Sequence, residues 1–83
     1  MNITDQSPEL RKALLAVSDE AQRAQGIYGS FTSAHEGYAV LLEEVDELWQ
    51  HVKVKRGQRL THAMRAEAIQ IAAMAVRFII DLT

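Results

Sequence analysis

Apolar residues recur along this chain at helical rather than strand spacing. Leu10, Leu14, Val17, Ala21 and Ala24 fall on one face, with Arg11, Lys12, Asp19, Glu20 and Arg23 on the others. Ser7-Pro8-Glu9 precedes them and supplies an N-cap hydroxyl, a proline at the first helical position and an acid suited to the helix dipole. These signals predict a first helix over about 8–25, with Gly26 as its stop and Gly29-Ser30 in the connector. Tyr38, Leu41, Leu42, Val45, Leu48, Trp49 and Val52 form a second stripe. It predicts a helix over 33–56, opened by the capping-box spacing Ser33-Ala34-His35-Glu36 and closed by Gly57. Tyr38 and Trp49, lying on that stripe, are expected in the core.

The third helix is predicted over 61–82 with Thr61 as its cap, and it is apolar on two sides. Met64, Ala68, Ile71, Ala75, Phe78 and Leu82 make one stripe, and Ile69, Ala73, Val76 and Ile80 make the other. Strand-like alternation nowhere persists. The expected fold is therefore all-α: one domain, 1–83, forming a three-helix antiparallel subunit. The short connection Gln58-Arg59-Leu60 makes the long second and third helices antiparallel neighbours. A helix apolar nearly all round is buried, and two partner helices are too few to cover both sides. Self-association into an oligomeric helical bundle, a dimer or tetramer, is the expectation.

Composition narrows the classes of function. The 83 residues carry a formal net charge of −2, so there is no basic footprint for a nucleic-acid backbone. With no cysteine, disulfides and thiolate metal sites are excluded. The most apolar run, Ile71–Ile80, contains Arg77 and is too short to cross a bilayer. Met1–Gln6 is polar and lacks the basic and apolar regions of a secretory signal. A cytoplasmic protein without membrane or nucleic-acid partners is expected.

The chemistry concentrates in Leu42-Glu43-Glu44-Val45-Asp46-Glu47-Leu48-Trp49, where four carboxylates occupy five positions. Positions three or four apart share a helix face, so Glu47 neighbours both Glu43 and Glu44. One reading is a solvated acidic face. The other comes from Glu67, which falls within the wide apolar side of the third helix, one turn before Gln70. An unpaired buried carboxylate is costly, so Glu67 calls for a partner: a salt bridge to Arg77 or another arginine, or a cation. Across an antiparallel pair, Glu44, Glu47, Glu67 and the Gln70 amide oxygen can converge as an all-oxygen site for Mg²⁺ or Mn²⁺. A di-iron bundle site is disfavoured because Gln70 stands where the second half of Glu-x-x-His would need histidine. His51, one turn from Glu47, is better read as solvated, and His35 and His62 belong to no constellation. Glu36 reads as a cap.

The run from His35 through Glu43-Glu44-Val-Asp-Glu47-Leu-Trp49, followed by Arg65-Ala-Glu67-Ala-Ile-Gln70, resembles the MazG-like, all-α nucleoside triphosphate pyrophosphohydrolases. That family carries E-E-x-x-E on one helix and E-x-x-D on the next. The resemblance spans roughly residues 31–82 and matches at Glu43, Glu44, Glu47 and Glu67; Gln70 replaces the usual acid. It implies Mg²⁺-dependent hydrolysis of a nucleoside triphosphate to a monophosphate and pyrophosphate. Glu43, Glu44 and Glu47 would be catalytic, with Glu43 orienting or deprotonating water. Lys53, Lys55, Arg56 and Arg59 are candidate phosphate contacts, and Phe31 a candidate stacking partner for the base. The Gln70 substitution keeps a second reading open: a weak or inactive relative acting as a nucleotide-binding or protein-interaction helical oligomer.

Overall fold

The computed structural model describes residues 7–83; the polar stretch 1–6, and with it the expectation that no secretory signal is present, lies outside the described residues. The described chain is all-helical, with α1 at Pro8–Tyr28, α2 at Ala34–Val52 and α3 at Thr61–Leu82, and a short 3₁₀ turn at Arg56–Gln58. No described residue is in a strand, and no described helix is long and apolar enough to cross a membrane.

The helix ends follow local chemistry, though not always at the residues the sequence suggests. Ser7 caps α1, its Oγ accepting the Leu10 N–H at 3.1 Å. The helix then passes through Gly26 and ends at Tyr28. Gly29 is the true stop, because it adopts a φ of 72° and donates its N–H to the Gln25 carbonyl at 2.9 Å. A single exposed helical glycine such as Gly26 costs only about 1 kcal/mol, which α1 tolerates. Ser33 caps α2 through the Glu36 N–H at 3.1 Å, but the reciprocal half of the capping box does not form. The Glu36 carboxylate instead accepts the Thr32 hydroxyl at 2.7 Å.

α2 stops at Val52, a turn short of the expected end, and Gly57 falls inside the 3₁₀ turn. Arg59 folds back so that its Nε donates to the Val52 carbonyl at 2.9 Å, satisfying an acceptor at the helix end. Thr61 is the first residue of α3 rather than its cap. The preceding residue is Leu60, which offers no side-chain cap.

α3 is the central element and packs against both other helices. α2 runs antiparallel to it, since Gly37 near the start of α2 meets Phe78 and Leu82 near the end of α3. α1 runs parallel to α3, its residue Gln25 bonding Arg77 and Asp81. Ala21, Ala24, Phe31, Ala73 and Met74 form the buried core, with Val17, Val40, Leu41, Val76 and Leu82 packed on it. The alanines at this contact let α1 lie close to α3. α3 finds α1 and α2 as neighbours within one subunit, but they leave Ile80 of its second stripe 70% exposed and the adjoining Ile79 exposed as well, so two partner helices do not cover it fully.

Further uncovered apolar surface lies on α2. Tyr38, Leu42, Val45 and Trp49 are exposed, and Tyr38 and Trp49 are not core residues as the stripe suggested. The cause is a rotation of α2 about its own axis, set by Gly37. A Cβ there would stand 2.7 Å from Phe78 Cδ2 and 2.9 Å from Leu82 Cδ1, so only glycine permits this approach. With that contact made, Val40, Leu41, Glu44 and Leu48 are the side chains drawn toward α3.

Candidate functional site

The same rotation carries Glu44 onto the half-buried side of α2 and creates a groove of about 600 Å³ above α3. α1 contributes Arg23, Ala24 and Tyr28, and Phe31 enters from the connector. α2 adds Glu36, Val40, Glu44 and Glu47, while Glu67, Gln70, Met74 and Arg77 come from α3. The volume falls in the range of small-molecule sites.

At one end, Glu44, Glu47 and Glu67 each bring a carboxylate oxygen within 4.8 Å of the others. Glu44 and Glu47 share a face of α2, and the antiparallel packing supplies Glu67 across from them. The grouping is electrostatically unfavourable without a cation. Burial, hydrogen bonding to Glu67 and the charges of Glu47, Glu67 and Glu43 raise the Glu44 carboxyl from 4.5 to about 7. Glu47 is also raised, first by hydrogen bonding to Glu67 and then by its charge, although it stands in solvent. Glu67 Oε2 is buried and has no hydrogen-bond partner. An orphaned carboxylate oxygen facing two further carboxylates is the environment a hard divalent ion relieves.

The salt bridge to Arg77 considered for Glu67 does not form. Arg77 turns instead to Gln25 and the Gly29 carbonyl, and the one ion pair among the described residues joins Arg23 to Glu20. Nor is the acidic run uniformly solvated: Glu44 and Glu67 are half-buried, whereas Glu43 and Asp46 are exposed.

Gln70 lines the groove beside the carboxylates and lies near Glu20 on its other side. The Glu20 carboxyl is held below its usual range chiefly by the Arg23 guanidinium, with a smaller contribution from Gln70.

Other residues singled out from the sequence lie farther off. Glu43 is absent from the groove lining and acts on Glu44 and Glu47 through its charge. Lys53, Lys55 and Arg56 follow the end of α2, are exposed and do not line the groove. Phe31 does line it, buried, with the Arg77 guanidinium stacked 4.3 Å from its ring centroid. His51 is outside the three-carboxylate cluster.

The far end of the groove was not anticipated. Arg77 is 3% exposed, and its Nε donates to Gln25 Oε1 at 3.0 Å and its Nη2 to the Gly29 carbonyl at 2.7 Å. Gln25 in turn donates to Asp81 at 3.1 Å, and Asp81 accepts the Phe31 N–H at 2.9 Å. The available signal was a charged residue interrupting the apolar run Ile71–Ile80, with an acid one turn beyond it. Comparison with family models, curated proteins and solved structures found no match.

Proposed function

We propose that this protein is a Mg²⁺-dependent nucleoside triphosphate pyrophosphohydrolase that works as a homo-oligomer. The observation carrying this reading is the convergence of Glu44, Glu47 and the orphaned Glu67 oxygen at the mouth of a groove large enough for a nucleotide. The resemblance of the acidic motifs to the MazG-like enzymes supplies the reaction: cleavage between the α- and β-phosphates, releasing pyrophosphate.

Glu44, Glu47 and Glu67 are the residues that would hold the ion, with Gln70 beside them. A bound Mg²⁺ supplies charge neutralisation for the polyphosphate and a more acidic water. The chain's own contribution is to hold three carboxylates at fixed separation on two packed helices. Half-burial of Glu44 and Glu67 strengthens their pull on a cation relative to open solvent. Glu43, outside the groove lining but one residue from Glu44, is the candidate for accepting a proton from water. Oligomerisation is supported by the exposed stripe of Tyr38, Leu42, Val45 and Trp49, which a second copy would remove from water.

The test is incubation with Mg²⁺ and a panel of nucleoside and deoxynucleoside triphosphates, with pyrophosphate and monophosphate as readouts. Turnover that is lost in Glu47→Gln supports the reading, and a panel left wholly intact refutes it. Gln70 favours a second reading, a nucleotide-binding relative without turnover. On that reading Gln70→Asp creates turnover that the native chain lacks.

A further inference from the structure

The end of the groove opposite the carboxylates has the makings of a second recognition site. Glu67, Gln70, Met74 and Arg77 line one side of α3 over ten residues, which is about 15 Å of helix axis. A divalent ion with one phosphate does not bridge that distance; a nucleotide extended along the groove places its base toward Arg77.

Arg77 has five N–H donors. One goes to Gln25, one to Gly29 and one to the Met74 sulfur at 3.3 Å, which is a weak acceptor. Each guanidinium nitrogen thus has one partner, and one hydrogen on each Nη is left to offer a further acceptor. Phe31 covers one face of the guanidinium and holds its plane. An acidic counter-charge is already relayed to Arg77 from Asp81 through the Gln25 amide. Glu36, which also lines the groove, adds another negative charge. A phosphate entering here would meet Glu36, with Asp81 already countering the Arg77 charge from behind Gln25, so a neutral acceptor edge suits Arg77 better. Glu36, steadied by the Thr32 hydroxyl, can accept N–H groups, and Tyr28, 72% exposed, offers a ring for stacking.

We propose that Arg77, Glu36 and Tyr28 form a nucleobase subsite selective for guanine, an inference that rests on the nucleotide reading of the same groove. Guanine offers O6 and N7 as adjacent acceptors to an arginine fork, and its N1–H and N2–H₂ donors suit a carboxylate. Adenine puts an amino group where O6 would be and so presents a donor to a donor. Arg77 is a specificity-determining residue here, remote from the scissile bond.

Nucleosides test this without phosphate or metal. Guanosine, adenosine and cytidine, with inorganic phosphate as a control, are titrated into the full chain in chelator, with NMR shifts as the readout. Guanosine is expected to bind at least about fivefold more tightly than adenosine, the lower limit for one good bidentate contact. Arg77→Lys keeps the charge, removes the fork and should bring that ratio close to one. If this variant does not fold, Glu36→Ala, at an exposed position, should weaken guanosine more than adenosine. Tyr28→Ala should weaken both nucleosides alike. Equal affinities, no nucleoside binding at millimolar concentration, or displacement of guanosine by phosphate would overturn the subsite. Pyrophosphate release without base preference overturns it while leaving the hydrolase reading intact; guanosine selectivity in a protein that hydrolyses nothing does the reverse.

Discussion

Replacing Glu44 with glutamine removes a charge that half-burial and three acidic neighbours oppose. In the folded protein the Glu44 carboxyl is raised from 4.5 to about 7, so the native state holds its proton more tightly than the unfolded chain does. A raised value contributes stability that is complete below the unfolded pKa, near 4.5, and is lost as pH rises through about 7. At about 1.4 kcal/mol per pKa unit the whole effect is roughly 3 kcal/mol. Partial solvent access to Glu44 screens it to about 1–2 kcal/mol. Glutamine mimics the protonated carboxyl, so Glu44→Gln should match wild type at pH 4 and exceed it by that amount at pH 8 in chelator. For a domain of this size the difference is about 5–15 °C in Tm. Saturating Mg²⁺ should reverse the order at pH 8. An ion at a hundred times its dissociation constant stabilises the wild type by about 2.7 kcal/mol, and the variant, short of one ligand, gains less. Thermal melts of both proteins at the two pH values, with chelator and with Mg²⁺, measure all of this. Titrating groups away from the three-carboxylate cluster are common to both proteins and cancel in the comparison. If Glu44→Gln is no more stable than wild type at pH 8 without metal, the repulsion argument is wrong. If Mg²⁺ shifts neither melt, the cation site is wrong too.

Three further outcomes can be checked separately. Gly37→Ala should lose about 1–2 kcal/mol in urea unfolding, because overpacking against Phe78 and Leu82 outweighs the helix propensity that alanine gains. Asp81→Ala strands the Phe31 N–H and leaves the Gln25 NH₂ group with Ser30 as its one acceptor, and should cost about 1–3 kcal/mol in the same assay. Val45→Glu places a charge in the exposed apolar stripe of α2; it should drive the assembly to monomer in sedimentation at micromolar concentration while leaving the helical circular dichroism unchanged. A wild type that already sediments as a monomer would remove the oligomer from the proposal.

Three helices and the pairing of the second with the third were legible from the residues themselves, because 3.6-residue periodicity and cap chemistry are local properties of the chain. Ser7 and Ser33 cap where their spacing indicated, and Glu44, Glu47 and Glu67 come together as the helix faces suggested. What the chain did not disclose locally is how each helix is turned about its own axis. The apolar side of α2 is wide, and periodicity alone leaves several rotations open. The close approach of Gly37 to Phe78 and Leu82 chooses one of them, putting Tyr38 and Trp49 in solvent and Glu44 toward α3. On α3, likewise, periodicity does not say which apolar residues α1 and α2 cover and which, such as Ile79 and Ile80, stay in solvent. Arg77 is the sharpest instance. In one dimension it is a charge interrupting an apolar run, and its partners Gln25 and Gly29 lie about fifty residues away. Only packing brings them together, since the bonds that hold its guanidinium come from a helix end and a loop that no local pattern connects to it.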